Sequence, residues 1–464
     1  MTKTDLTCDM TAALTNSLSP GAILTEAQFA ALDPVVAPEN THGLLAVAPQ
    51  SLDDIVALFK VCVATGTALV PQGGRTGLAG AATGTGAEIL CLGHKMPRTI
   101  VIDPVSRTAE VSANTTLADL EQAARAHGLT AGIDIAARDS ATIGGMISTN
   151  AGGMEAFRNG TMRQRVLGLQ AVLPDGSILN DLAHVRKCNE GYDVKQLLIG
   201  GEGTLGIITA ATLQLLPEPP PADTFLLALP DAAAALVVFQ ALQANPHIQL
   251  LRAEAMWRGF AQENAKHQAQ NPLLTLPDAP LYVIYELHCP NGPSEDIVFN
   301  TLEQQFESGL ILDAIAAQTG QQASDIWALR EDTLTLVKFF PHAEWFDISI
   351  PLAHLDSHVK RVETRVAALD PDLRIHVLGH LGDGNLHYTV CHPEPLTPAL
   401  VQGIKPAVLD GLKEIGGSFS AEHGIGIEKR TALHRYGDQG KLAMMRAVKQ
   451  ALDPANICNP GKVL

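Results

Sequence analysis

A chain of 464 residues with 46% hydrophobic and only 17% charged residues has ample material for a buried core and no compositional sign of disorder. Lys and Arg number 32 against 49 Asp and Glu, a net charge of −17 that repels phosphate backbones and anionic lipid surfaces, so a nucleic-acid partner is not expected. At roughly 150 residues per domain the length implies about three units, or two large ones with an appendage.

The amino terminus has no sustained apolar core of the secretory kind, and no stretch stays apolar for the roughly 20 residues of a membrane helix, so no direct membrane span is expected. The cysteines, Cys8, Cys62, Cys91, Cys188, Cys289, Cys391 and Cys458, are odd in number and form no CxxC pair. Reduced thiols in a cytoplasm are the simpler reading.

In chain order, SLDDIVALFKVCVATG predicts an amphipathic helix with Ser51 as N-cap and Gly66 as left-handed stop, and TALVP predicts a strand after it. LADLEQAARAHG repeats the helix plan with Gly128 as its stop, and VLGLQAVLPDGSIL reads as two strands about an Asp175-Gly176 turn. The proline cluster PEPPPAD from Pro217 can continue neither helix nor sheet and marks a boundary. Beyond it PDAAAALVVFQALQAN predicts a helix and LYVIYELHC a strand, while RIHVLGH and NLHYTV predict two strands flanking a Gly-Asp-Gly turn. The fold class is therefore α+β, closed by a tail from about Gly416 that holds a helix through KLAMMRAVKQALD and is too short for its own core.

Three glycine-rich runs punctuate the first half. PQGGRTGLAGAATGTG, from Pro71, follows a strand, and glycines there let backbone N–H groups line a concavity that suits a pyrophosphate. It is neither a Walker loop nor a GxGxxG fingerprint, so a plain surface loop is the competing reading. GIDIAARDSATIGGMISTNAGG, from Gly132, alternates small residues with hydroxyls, as a flat polar ligand or a tight crossover would require. In GGEGTLGIITAATLQLLP, from Gly200, Glu202 stands ahead of a β-branched strand that reads equally well as a buried edge strand. Downstream, GHLGDGNLH sets His380 and His387 about a turn, and SAEHGIG adds Glu422 and His423. Two histidines and a glutamate suit Zn²⁺, Mn²⁺ or Fe²⁺ with positions left open, although two histidines by themselves are more often surface decoration. Trp257 and Trp327 read as packing, and His376 as an ordinary strand residue.

Taken together with WALRED, GHLGDGNLH, SAEHGIG and the closing NPGK, these runs resemble the FAD-dependent oxidoreductases with a vanillyl-alcohol oxidase (PCMH) type of flavin domain. The likeness is greatest to their D-2-hydroxyglutarate, D-lactate and glycolate dehydrogenase branch, and it extends from about Val36 to Leu464. The resemblance implies a two-part PCMH-type FAD-binding domain, an antiparallel-sheet substrate domain with helices, and a C-terminal segment folding back on the flavin. The corresponding divisions are 1–35 as an extension, 36–217, 218–415 and 416–464.

The family likeness places FAD on Pro71, Gly73, Gly74, Arg75, Thr76 and Gly77 and on Asp134, Ser140, Thr142, Gly144, Gly145, Thr149, Asn150, Gly152 and Gly153. It puts Glu202, Gly203, Gly206 and Ile208 at the adenosine side and Asn459 near the flavin ring. Covalent members often carry a histidine in the first loop; Arg75-Thr76-Gly77 here implies non-covalent FAD. The same resemblance makes His380, His387 and Glu422 metal ligands, Zn²⁺ first with Mn²⁺ or Fe²⁺ as alternatives, and His423 the base. A 2-hydroxy acid chelated through hydroxyl and carboxylate would deliver hydride from C2 to flavin N5, with Arg330 pairing a substrate carboxylate. An ordinary helix salt bridge is the competing reading for Arg330.

Two positions depart from the D-2-hydroxyglutarate branch. A lysine before its YDLSLP-like strand is replaced by Trp345 in AEWFDISIP, and an asparagine two residues beyond the second histidine is replaced by Thr389. Both remove polar grip on a distal carboxylate, which favours a smaller or more apolar acid such as D-lactate. The expected partners are that small acid and a separate electron acceptor, an electron-transfer flavoprotein, quinone or cytochrome, with a homodimer as one option. The rivals are a glycolate dehydrogenase subunit that needs partner chains, D-2-hydroxyglutarate dehydrogenase proper, and a nucleotide- or metal-binding protein without redox chemistry.

Overall fold

A computed structural model describes residues 3–332 and 334–464. The chain divides into two compact units, one built from residues up to Gly153, Asn159–Glu218 and Glu422–Leu464, the other from Met154–Arg158 and Pro219–Ala421.

In the first unit the helix Leu52–Thr65 starts where Ser51 accepts the Asp54 amide and stops at Gly66, whose φ of 66° only glycine adopts without strain. It feeds the parallel strand Leu69–Gln72, which pairs with Ile89–Leu92, itself paired with Leu45–Val47. The N-terminal helix Lys3–Ser17 belongs to this core, with Met10 and Leu14 packed among Ile55, Leu58 and Phe59. Fully burying each such side chain contributes about 1.5–3 kcal/mol, enough to hold a helix with little amphipathic character of its own.

A five-stranded antiparallel sheet completes the unit, in the order Ile100–Asp103, Thr108–Ser112, Ile207–Gln214, Val166–Val172, Ile178–Asp181. The last two strands are the hairpin expected about Asp175-Gly176. Ile207–Gln214 is central, so the competing reading of a buried edge strand does not hold: it pairs with Thr108–Ser112 on one side and Val166–Val172 on the other, and Ala211 and Leu213 lie in the core. The helix Leu117–Arg125 ends earlier than its glycine implied, capped at Ala126, while Gly128 turns the chain at φ 68° into the short strand Leu129–Thr130.

The second unit is a seven-stranded antiparallel sheet ordered Asp313–Ala316, Asp223–Leu229, Leu281–His288, Gln249–Trp257, Arg374–His380, Asn385–Cys391, Glu344–Ser349. One face carries Met256, Tyr282, Ile284 and Leu378 against Phe260, Ile326, Trp327 and Leu329 of the helices Arg258–Ala265 and Gly320–Glu331. Trp327 is a packing residue here, with the Arg252 guanidinium 5.5 Å from its ring centre. Among the described residues no helix is long and apolar enough to cross a membrane. Cys62, Cys91, Cys188, Cys289, Cys391 and Cys458 are all unpaired; the side chain of Cys8 lies outside the described residues.

Packed edge-on to Tyr388, His358 on the helix Leu355–Ala367 is 2% exposed and accepts from Arg361 through Nδ1. Burial, reinforced by Arg361 and Arg365, pushes its imidazole down to about 4 from 6.5. The unfolded chain therefore takes up a proton that the folded chain refuses, so stability present above pH 6.5 falls as pH drops toward 4, by on the order of 3 kcal/mol at most. Urea unfolding across that window should show a slope that His358→Leu flattens; an unchanged slope would place the effect elsewhere.

Candidate active site

Three loops of the first unit meet through their glycines. A Cβ on Gly73 would strike Thr142 Oγ1, one on Gly74 the Ser140 carbonyl, and one on Gly203 would come within 3.2 Å of Pro71. Backbone can approach backbone only because these side chains are missing. Thr142 caps the helix Ile143–Thr149 by accepting the Gly145 amide, and Gly144 presses its missing Cβ against Ala113. Asn150 ends that helix at φ 55°, with its side-chain oxygen taken by Thr161 Oγ1 and the Arg163 amide. The hydroxyls of Ser140 and Thr149 donate back to Ala137 and Gly145 carbonyls, so they order the loop itself. Gly152 leads into Gly153, which turns at φ 92°, bridges to Asp134 and donates its amide to Glu422 Oε2 at 3.1 Å. Asp134 also pairs with Arg138 at 2.8 Å. Thr76 and Gly77 continue the first loop, with open space where a Gly77 Cβ would stand.

Arg75 adopts φ 57°, and its buried Nε has no hydrogen-bond partner among the described residues. Burial lowers its pKa from the usual arginine value, with Asp33 partly opposing, yet the group remains a cation. A half-buried cation beside a glycine-lined backbone concavity suits an anionic pyrophosphate.

The tail is clamped by the third loop. Glu202, 5% exposed at φ 49°, accepts the Ile425 and Gly426 amides at 2.6 and 2.7 Å, and its carbonyl accepts Asn459 Nδ2 at 2.8 Å. Burial raises the Glu202 pKa even though the two amides and Lys429 favour its anion. Asn459 also donates to the Ala81 carbonyl and keeps Oδ1 buried with no partner among the described residues. Lys449 bridges Asp453, Thr204 and Cys458 at 2.6–2.8 Å, a clamp with no motif to announce it. Gly206 closes on Val172, and Ile208 is a core residue of the central strand. Glu202→Gln turns one amide N–H against another donor and should cost about 1–3 kcal/mol. It should also speed proteolysis around Gly424, and an unchanged urea midpoint and cleavage pattern would refute this clamp.

In the second unit GHLGDGNLH is a hairpin. Gly384 turns at φ 74° where a Cβ would strike the Ile350 carbonyl, and Asp383 accepts the Asn385 amide. His380 pairs with Asn385 and Leu378 with His387, so both imidazoles stand on one sheet face, 5.6 Å apart between centroids and 89° inclined. The two histidines are not surface decoration: His380 is 4% exposed.

His380 Nδ1 lies 2.6 Å from Oε1 of Glu254, and Arg330 Nε donates to Oε2 of the same carboxylate at 2.7 Å. Glu254 is wholly buried. Burial alone would raise its pKa, but His380 and Arg330 outweigh burial and hold it below the usual glutamate value. Beside His387 stands buried Asp347, 4.0 Å from Nδ1, which accepts Asn385 Nδ2 at 3.0 Å and the Ala421 amide at 3.1 Å. Glu254 behind His380 fixes the tautomer that leaves Nε2 as electron-pair donor, the arrangement usual behind metal-ligating histidines. The nitrogen and oxygen donor set fits a borderline divalent cation. Trp345, on the edge strand and 45% exposed, pairs directly with Thr389, which is 1% exposed, and Thr389 pairs on its other side with His376. Glu254 and Asp347 carried no motif; the one available signal was an acid on the inward-facing parity of the apolar strand LLRAEAMW.

Residues 44–181 match the FAD binding domain family and residues 218–463 the C-terminal domain of FAD linked oxidases. The chain is 35% identical over 432 residues to a D-2-hydroxyglutarate dehydrogenase of Xanthomonas citri pv. viticola, covering 91% of this chain and 90% of that one. The chain belongs to the FAD-linked oxidase family. A mitochondrial D-2-hydroxyglutarate dehydrogenase of Bos taurus is 33% identical, covering 96% of this chain and 85% of its own. Among solved structures, substrate-bound p-cresol methylhydroxylase superposes with TM-score 0.74 at 14% identity over 100% of this chain and 97% of its own. The 4-ethylphenol oxidase of Gulosibacter chungangensis gives 0.73 at 16% identity over 99% and 97%. Both share this chain's two-domain PCMH-type fold of helices and antiparallel sheets. The glycine cradle with Arg75 in its wall fits the FAD this family binds.

Proposed function

We propose that this FAD-dependent oxidoreductase oxidises a D-2-hydroxy acid to the 2-oxo acid and passes the electrons to a separate acceptor, an electron-transfer flavoprotein, quinone or cytochrome. The observation that carries the reading is the pair of imidazoles on one sheet face with Arg330 and His380 sharing Glu254, in a chain so similar to two D-2-hydroxyglutarate dehydrogenases. When bound, FAD supplies the hydride acceptor and a divalent cation, Zn²⁺ by first choice, the electrophile that acidifies the hydroxyl. His380, His387 and Glu422 are the proposed ligands. His423 takes the proton from the substrate hydroxyl, and Arg330 holds a substrate carboxylate through its terminal nitrogens.

FAD is proposed to lie non-covalently on the first, second and third loops, because the first loop presents Arg75-Thr76-Gly77 and no histidine or cysteine. The functional divisions are an extension over 1–35, an FAD domain over 36–217, a substrate domain over 218–415 and a flavin-contacting tail over 416–464. A cytoplasmic setting is consistent with the unpaired cysteines, and a homodimer is one option for the assembly. The preferred acid has a small or apolar distal group, D-lactate for example, since Trp345 and Thr389 offer no cation to a second carboxylate. D-2-hydroxyglutarate is the second reading, favoured by the names of the relatives.

Anaerobic mixing of the purified yellow protein with D-lactate, glycolate, an apolar D-2-hydroxy acid and D-2-hydroxyglutarate, with metal analysis on the same sample, tests all of this. Bleaching of the flavin by one of these acids is expected. A protein without flavin, or one that none of the acids reduces, overturns the reading.

A further inference from the structure

We infer that Glu254 is a positioning residue that sets both the metal-ligating nitrogen of His380 and the carboxylate-binding edge of Arg330. The inference rests on the reading of His380 as a metal ligand and Arg330 as a substrate clamp. Glu254 comes from the strand Gln249–Trp257, His380 from the neighbouring Arg374–His380 strand, where the two are directly paired, and Arg330 from the helix Gly320–Glu331. Each carboxylate oxygen serves one partner, Oε1 facing His380 Nδ1 at 2.6 Å and Oε2 facing Arg330 Nε at 2.7 Å.

Those two contacts decide what the opposite edges can do. With Nδ1–H donated to Glu254, the ring of His380 presents Nε2 as its lone-pair nitrogen. With Nε given to Glu254, the planar guanidinium turns its Nη1/Nη2 edge away, and that edge takes a carboxylate in bidentate fashion. One rigid carboxylate thus couples ligand and clamp at a fixed separation.

A stabilising role alone explains the group poorly. Glu254 is wholly unexposed, and the next residue inward on its face is Met256 of the apolar core. Desolvating a buried ion pair such as Glu254 and Arg330 costs several kcal/mol, and replacing one with apolar residues of similar volume is often neutral or stabilising. The geometric demand of a site accounts for keeping it, since partners behind a metal ligand change metal affinity by about 10–100-fold when removed.

The test uses the full-length flavoprotein and Zn²⁺, with affinity measured by chelator competition for the wild type, Glu254→Gln, Glu254→Asp and His380→Ala. Flavin absorbance and circular dichroism report folding in each sample. Zn²⁺ binding should weaken by about 10–100-fold in Glu254→Gln and by an intermediate factor in Glu254→Asp, with flavin content retained. If His380→Ala loses Zn²⁺ while Glu254→Gln binds it within twofold of wild type, the positioning role is wrong and the metal reading stands. If His380→Ala binds Zn²⁺ like wild type, the metal reading itself fails. Should Glu254→Gln not fold, Glu254→Asp decides: its charge still faces Arg330, its carboxylate is one methylene short, and wild-type Zn²⁺ affinity there overturns the inference.

Discussion

Glu422→Ala and His423→Ala should each abolish bleaching of the bound flavin by the hydroxy acid that reduces the wild type. An aliphatic hydroxyl does not ionise near neutral pH, so hydride cannot leave C2 until a cation acidifies the hydroxyl and a base accepts its proton. Loss of a general base costs about 10²–10⁴-fold. Loss of one of the three proposed metal ligands would remove the electrophile as well, so Glu422→Ala should be at least as severe. The two variants separate on metal content: His423→Ala should keep the cation, and Glu422→Ala should release it. Glu422 also accepts the Gly153 amide in the second glycine-rich loop, so flavin content must be measured beside the rate. Stopped-flow reduction at the wild-type rate in either variant would sink the assignment of metal ligand and base.

The second large effect is a change of substrate. Trp345→Lys combined with Thr389→Asn should raise kcat/KM for D-2-hydroxyglutarate relative to D-lactate by about 10–100-fold. A charge-assisted hydrogen bond contributes about 1.5–3 kcal/mol, and each 1.4 kcal/mol is tenfold in rate. The structure makes the pair act at one place: Trp345 and Thr389 are cross-strand neighbours, two pairs along from Asp347 and His387 and so on the same sheet face. A side chain on the edge strand at 45% exposure can be lengthened or charged cheaply, whereas the new amide at buried position 389 must repack against His376 and Trp345. Trp345→Lys alone should therefore give most of the gain. A clear wild-type preference for D-2-hydroxyglutarate, or a double variant with an unchanged ratio, would show that these two positions do not select the acid.

Much was legible locally because its physics is local. Ser51 and Gly66 bound their helix as cap and stop, Asp175-Gly176 turned its hairpin, and GHLGDGNLH folded so that alternate residues brought two imidazoles to one face. Positive φ and bare backbone contacts demanded glycine at Gly384 and Gly153, which is why the motifs could be recognised at all. Where the number of neighbours mattered, composition left the choice open: Ile207–Gln214 could be read as an edge strand yet lies at the centre of its sheet, because a β-branched run says it is buried but not how many neighbours it has.

By itself, then, the sequence determined the fold class, the cradle that suits FAD and the residue types available for metal, base and clamp. Tertiary structure alone decided their partners. Arg330 and His380 meet the same carboxylate across 76 and 126 residues of chain, and Glu202 reaches amides 223 and 224 residues away. No periodicity or turn chemistry reports on contacts at such separations, since they form only when strands pair and desolvation forces each buried charge to find its opposite.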